Sequence, residues 1–580
     1  AYDSWIQYQT YDVTDLVHTG ENVIGAILGN GWAKGRFGFD GVVGDYETNF
    51  PGKPCNMYTE EYLLFGELHV TTTQGETVIV TDESWQCAPN PLTFGNIYDG
   101  ERYDANLEIE NWCAPSCTYA NWQPVKRNTT TNLGAISARL SLPVKAKHII
   151  TPKQITTPKN ELVFDLGQNI TGWFTFMADL PAGVELRVQT GELLQDDCFY
   201  RDNLRTALSE YRYISTGKKA FIRPIATFYG FRYIKVEGID GELNPEDFVA
   251  EAISSATPEN GTFVSSDSLI NRLQSNIKWG MLDNFVDIPT DCPQRDERLG
   301  WTGDAQVFAR TASYNFRVDK FFTKWLHDLN ASQDEQGRIP HVIPNILGPD
   351  SVASAAWADV CTIVPWQMYL TYGQLHFLTD QFDAAKRWVD YVHGAGSEEF
   401  LWLDGTHFGD WLGLDAPEGS YKGSTDEGLI AGAFFALSTE NLVKMGRALG
   451  KNMAEYEALY DNVRAAWQKR YAAEPGRVFG DTQTGYVLAL AFDLVDQKAP
   501  YAARLAQKIH ENGDKLQTGF VGTPYLLRAL SENGYTDLAY TLLLQTEFPS
   551  WLYPVTRGAT TMWEHWDGLK PDGSMWSADM

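Results

Sequence analysis

The segment Asp291–Gln306, DCPQRDERLGWTGDAQ, lies between two stretches of helical periodicity and decides how the rest of the chain is read. Pro293, Gly300 and Gly303 stop it from continuing either helix. It holds four carboxylates (Asp291, Asp296, Glu297, Asp304), two arginines (Arg295, Arg298) and Trp301. A solvated loop also carries charges, but here they are mixed with Cys292, Leu299 and Trp301 while glycines fix the turn. That mixture suits a shaped pocket better than a wet surface.

Downstream of about residue 255 the apolar period is helical. Leu442, Met445 and Leu449 share one stripe, with Gly450 as a stop, and Phe308, Ala312 and Phe316 recur every fourth position. Further helical segments are predicted near 267–283, 318–332, 362–373, 377–394, 453–471, 500–512 and 536–544. About ten or eleven helices are too many for one bundle and suit paired helices in a toroid, with function on the loops of one rim. Upstream the pattern is β. Val184, Leu186 and Val188 alternate with polar residues, and Gln74-Gly75 joins two β-rich runs, His69–Thr73 and Thr77–Thr81. Many short strands with turn signals point to sandwiches, and the Pro- and Lys-rich stretch Pro143–Lys153 marks a break between two of them.

Length and composition are consistent with this plan. The 580 residues argue for about three to five domains. Hydrophobic residues make up 43% and charged residues 21%, enough to build real cores. No run approaches the ~18 apolar residues of a membrane span. A net charge of −29 disfavours nucleic acid and anionic lipid as partners. The seven Cys follow no disulfide or zinc spacing, the ten His contain no HExxH, and no phosphate-binding loop or serine nucleophile elbow is present. No metal and no cofactor is expected. Neither a signal peptide nor a targeting motif is seen, which leads to an expectation of a cytoplasmic protein. Most of the 19 Trp are expected in the core, and some as flat walls for a sugar ring.

Three more clusters mix acids with aromatics: Thr561–Asp567 (TMWEHWD), Phe408–Leu412 (FGDWL) and Trp357–Asp359 (WAD). Carboxylates set apart along a helical toroid lined with Trp point to glycoside hydrolysis, which needs one carboxylic acid for the leaving oxygen and a second carboxylate as nucleophile or base. At this point the chain resembles a known family. DCPQRDERLGWTGDAQ is similar to the signature of bacterial α-L-rhamnosidases, glycoside hydrolase family 78. LVFDLGQNITGWFTF, GELL and FYGFRYIKVEG within 162–238 resemble the family's middle β domain. Residues 8–32 and 99–122 resemble its N-terminal β domain, and FGDWLG at 408–413 and TTMWEHWDG at 560–568 its helical catalytic domain.

The resemblance implies two N-terminal antiparallel β-sandwich domains, at 1–143 and 144–255, followed by an (α/α)6 barrel of paired helices at 256–580. It implies Glu297 as general acid and Glu564 as general base of an inverting reaction on terminal α-L-rhamnose of plant glycosides or polysaccharides. Asp291 and Asp304 would hold sugar hydroxyls. Trp301, Trp357 and Trp411 would line the pocket, with Arg295 and Asp296 as further substrate-binding candidates. A six-hairpin glycosidase of other sugar specificity, or a non-catalytic carbohydrate-binding relative, is the alternative. A sugar- or calcium-binding role around Asn30-Gly31-Trp32 and a homo-oligomer stay open. Residue 1 falls inside a strand-like region, and Met580 stops short of the family's Asn-rich segment, so the chain is expected to be a fragment with an incomplete barrel. One tension remains: Arg295 and Arg298 would favour the ionised form of Glu297, whereas an acid must hold its proton.

Overall fold

A strand of 17 residues, Leu162–Ala178, organises the N-terminal half of the computed structural model, which describes residues 4–36, 38, 58–129, 135–239, 248–255 and 257–575. The strand pairs antiparallel with Tyr229–Glu237 and with Val249–Ser255. The sheet runs in the order Leu92–Asn96, Gly100–Asp104, Glu210–Ile214, Glu185–Gly191, Tyr229–Glu237, Leu162–Ala178, Val249–Ser255, Val144–Ile150. Lys153–Thr156 and Ala220–Ile222 also pair with the long strand. Leu186 and Val188 are buried, as their alternation predicts, among Phe164, Phe174, Phe176, Tyr229 and Phe231. Gly172 is needed in the long strand because a Cβ there would sit 1.9 Å from the Glu251 carbonyl oxygen. The register shifts between Asp165 and Ile170, and this bulge carries Gln168 and Asn169 out of the ladder.

The expected hairpin is present as Glu67–Thr72 against Gly75–Val80, with Thr73 and Gln74 in the turn. Gly100–Asp104 pairs in parallel with Glu210–Ile214, so one sheet runs across the boundary placed at 143 and 144. The pairing covers a strand that would otherwise expose its backbone groups.

The C-terminal half is helical. Glu427–Ala448 packs against Ala454–Tyr471, Gln483–Ala491 against Lys498–Glu511, and Thr523–Glu532 against Thr536–Leu544. Ser268–Asn284 starts on Asp267, whose Oδ1 accepts from the amides of Leu269 and Ile270. The segment read as one helix at 377–394 is two, His376–Thr379 and Phe382–Ala395. The break falls at Gln381, whose side chain donates to the Leu326 carbonyl. Trp325, Trp388 and Trp467 are fully buried, as expected of Trp in a core. Among the described residues no helix is long and apolar enough to cross a membrane.

Buried polar contacts lock the two halves together. Arg298, backbone φ 49°, donates to the carbonyls of Ile97 (3.2 Å) and Phe228 (3.1 Å) in the β half, and to Gln294 (2.8 Å) and Arg295 (3.2 Å) in its own loop. Its guanidinium lies 5.3 Å from the ring centres of Tyr98 and Phe228. On the other side of the interface the bulge docks: Gln168 Nε2 donates to the Thr560 carbonyl and the Asn169 amide to Thr560 Oγ1, each at 2.9 Å. The Thr171 amide donates to Asp283 at 2.9 Å. Trp5 Nε1 reaches Asp328 Oδ1 at 2.7 Å. Arg298→Ala removes four buried hydrogen bonds at the interface, although Thr227 still donates to the Ile97 carbonyl and the Glu297 amide to that of Arg295, so urea unfolding is expected to show a loss of about 3 kcal/mol.

Candidate active site

The acidic loop is tied into a closed turn. The Asp291 amide donates to the Leu299 carbonyl at 3.0 Å, and the Leu299 amide donates back to Asp291 Oδ1 at 2.7 Å. The amide of Ile343 donates to the Gly300 carbonyl, and a Cβ on Gly300 would lie 2.1 Å from the Ile343 oxygen, so the approach requires glycine. Tyr98, from the β half and fully buried, donates its hydroxyl proton to the backbone carbonyl of Glu297.

The Glu297 carboxylate is buried and fully engaged. Oε2 accepts from Arg205 Nη2 at 2.6 Å and from Arg295 through Nε at 3.1 Å and Nη2 at 3.0 Å. Oε1 accepts from Trp301 Nε1 at 2.9 Å. Arg295 also reaches across the site, with Nη1 2.9 Å from Glu564 Oε2. One guanidinium therefore touches both glutamates, which limits their nearest oxygens to a separation of roughly 8 Å, set by the span of the fork. The Glu564 side chain is 27% exposed, against 9% for Glu297. Of the two arginines in the sequence tension, Arg298 points away into the domain interface and Arg295 does not.

Asp304 enters the site from the first turn of the helix Thr302–Asn315. Burial raises its pKa to about 8, with the charge of Glu564 adding to the effect. Asp291 is likewise pushed well up by burial and by Glu297. Asp291, Cys292 and Glu297 bring metal-ligand-type atoms within 4.8 Å of one another, and Arg295 supplies the positive charge beside them. Asp296 turns the other way. Its Oδ1 accepts from Arg205 Nε at 2.8 Å, and Oδ2 takes the Thr206 hydroxyl, so both oxygens serve the contact with the β half.

The expected tryptophans meet around one residue the sequence reading did not assign, Phe408. Its ring centre lies 5.6 Å from Trp301, 4.7 Å from Trp357 and 6.0 Å from Trp411. Trp357 is stacked against Phe520 and packs over Gly303, where a Cβ would meet the indole at 2.4 Å. Trp411 stacks on Tyr421 at 5.2 Å. His341 lies against Phe408, and burial lowers its pKa to about 4, with His407 adding to the effect, so it is uncharged at neutral pH.

The Asp residues of the other two clusters hold loops. Asp410 accepts from the amides of Gly519, Val521 and Gly522 and from Thr484 Oγ1. Asp359 accepts from the Ala356 amide, Trp388 Nε1 and Ser438 Oγ. Arg205, Tyr98 and Gln168, all from the β half, escaped sequence reasoning because no local pattern ties a β residue to a loop some 90 to 390 positions away. The turn Asn30-Gly31-Trp32 meets both halves, because Trp32 also packs against Leu299 and Val342 of the helical half. Asn30 bonds the Gly95 carbonyl and receives the Tyr62 hydroxyl, and Trp32 packs edge-on to Tyr98.

The whole chain is similar to known proteins. The family model described as the bacterial alpha-L-rhamnosidase 6 hairpin glycosidase domain matches residues 258–579. The N-terminal domain model of alpha-L-rhamnosidase matches 1–148 and the concanavalin-like domain model 155–254. The chain is 39% identical, over 98% of its length, to an alpha-L-rhamnosidase of Formosa agariphila, and 36% identical, over its whole length, to one of Streptomyces avermitilis. It spans 61% and 55% of those two relatives. The solved structure of the Streptomyces avermitilis enzyme, complexed with L-rhamnose, matches with a TM-score of 0.92 at 34% identity, covering 100% of this chain and 55% of that one. The Aspergillus terreus alpha-L-rhamnosidase matches with a TM-score of 0.92 at 33% identity, covering 100% of this chain and 67% of that one. With β-rich domains leading into a helical six-hairpin glycosidase domain, the chain belongs to the bacterial alpha-L-rhamnosidase family.

Proposed function

We propose that this chain carries the catalytic centre of an inverting α-L-rhamnosidase that releases terminal α-L-rhamnose from plant glycosides or polysaccharides. The observation that carries the reading is the single Arg295 guanidinium touching both Glu297 and Glu564. It holds two carboxylates, 267 positions apart in sequence, against one side chain. Glu297 protonates the glycosidic oxygen. Glu564, the more exposed of the two, removes a proton from the water that attacks the anomeric carbon from the other face. Inversion calls for a carboxyl separation of about 6.5–9.5 Å, and the reach of the bridging guanidinium is compatible with the lower part of that range. Rhamnose has no C6 hydroxyl, so the aromatic wall of Trp301, Trp357, Phe408 and Trp411 fits its methyl-bearing edge. Neutral Asp304 can both donate to and accept from a sugar hydroxyl.

Glu297→Gln and Glu564→Gln are each expected to lower kcat on an aryl α-L-rhamnoside by about 10²–10⁴ with circular dichroism unchanged. Wild-type rates in both variants would remove the assignment. Proton NMR of the first-formed sugar is expected to show the anomer opposite to that of the substrate.

The pH dependence follows from Asp304. Raising the pH through about 8 ionises it and adds a negative charge beside Glu564 and Glu297, so activity is expected to fall along that limb. Asp304→Asn should flatten it. An unfolded Asp ionises near 3.9, so the folded state keeps an extra proton between roughly pH 4 and 8 and loses stability as pH rises across that window. Thermal denaturation of Asp304→Asn should lack this slope.

A further inference from the structure

We propose that Arg205, supplied by the β half, is a positioning residue for proton delivery: together with Arg295 it commits Oε2 of Glu297 to accepting hydrogen bonds and leaves Oε1 as the oxygen that gives up its proton. The proposal rests on the reading of Glu297 as the general acid.

The contacts divide unequally between the two carboxyl oxygens. Arg205 Nη2 and two nitrogens of Arg295 converge on Oε2, whereas Oε1 accepts from Trp301 Nε1. A neutral carboxyl has one oxygen that only accepts and one hydroxyl that donates while keeping acceptor capacity. Oε2, faced by donors from two cations, takes the accepting role. Oε1 can accept from Trp301 and still aim its O–H outward. In the step itself the Oε1–H bond breaks and an O–H bond forms on the glycosidic oxygen. The bond from that oxygen to the anomeric carbon breaks, and its electron pair stays with the departing oxygen. Glu297 is left as a carboxylate, whose new charge the two guanidinium groups stabilise.

Arg205 is built to stay in place. Its Nε donates to Asp296 Oδ1 at 2.8 Å and its Nη2 also contacts the Asp296 carbonyl at 3.2 Å. The Thr206 hydroxyl engages the second oxygen of Asp296. The Arg205 backbone sits at φ 54°, ψ −111°, outside the regions that a side-chain-bearing residue favours. Such strain persists only where surrounding contacts impose it, and here they hold a guanidinium against the acid.

The test compares two rhamnosides, one whose leaving group departs without protonation (2,4-dinitrophenyl) and one that needs it (methyl). Wild type, Arg205→Gln and Arg205→Lys are assayed for kcat and KM on both, with thermal melting as the folding control. For Arg205→Gln, kcat on the methyl rhamnoside is expected to fall about 10- to 100-fold, the equivalent of one lost charge-assisted hydrogen bond. On the dinitrophenyl rhamnoside it should change little, with KM unmoved on either, and Lys should restore part of the loss. An equal fall on both substrates, or a rise in KM at constant kcat, overturns the proposal, because misplaced domains would damage both reactions alike. If Arg205→Gln does not fold, Asp296→Asn, which loosens the anchor of Arg205, carries the same comparison: a loss selective for the methyl rhamnoside supports the proposal and a uniform loss overturns it. A wild-type chain inactive on both substrates overturns the activity reading itself, which separates the two failures.

Discussion

Two guanidinium groups on one buried carboxylate set the geometry of this molecule's site. A carboxylate removed from water survives only when its oxygens are paired and hydrogen-bonded. Glu297 meets that demand from two directions, with Arg295 from its own loop and Arg205 from the β half. The helical half therefore does not complete the surroundings of Glu297 alone. The same dependence reaches the main chain, because Tyr98 of the β half holds the Glu297 carbonyl and the Gln168–Asn169 bulge holds Thr560, four residues ahead of Glu564. Both glutamates are thus referred to one β surface, and the polar interface that joins the halves also sets the spacing of the proposed acid and base.

Residues of one chemical type are put to opposite uses in the helical half. Asp359 and Asp410 sit beside tryptophans, as Asp304 nearly does, and all three are removed from water. Asp410 is surrounded by backbone amides that partly offset the cost of its charge, and burial raises it only to about 6. Asp304 has two carboxylates as neighbours and is raised to about 8. The first kind of environment holds a loop. The second keeps a proton at neutral pH.

Much of the fold was legible because periodicity reports burial directly. The helical runs read at 267–283, 318–332 and 453–471 became Ser268–Asn284, Asp319–Ser332 and Ala454–Tyr471. Each buries an apolar stripe, and Ser268–Asn284 is in addition capped by Asp267. The break at Gln381 was not legible, since it depends on a carbonyl of another helix. The sheet pairing across residues 143 and 144 was equally hidden, because strand partners are chosen by backbone groups that every residue type carries. In the site, the acidic loop stood out by composition alone, yet composition did not separate Asp296, which faces the β half, from Glu297 beside it.

By itself the sequence determined that a β-rich stretch leads into a helical one, where most helical runs lie, and that one loop concentrates carboxylates, arginines and Trp between glycines that force a turn. Only the tertiary structure decided which carboxylates share a guanidinium, which of the two arginines joins them, and that a β residue touches Glu297. The reason is physical: periodicity and turn chemistry are local, whereas the pairing of buried charges is settled by desolvation, which acts on whatever groups folding has enclosed together.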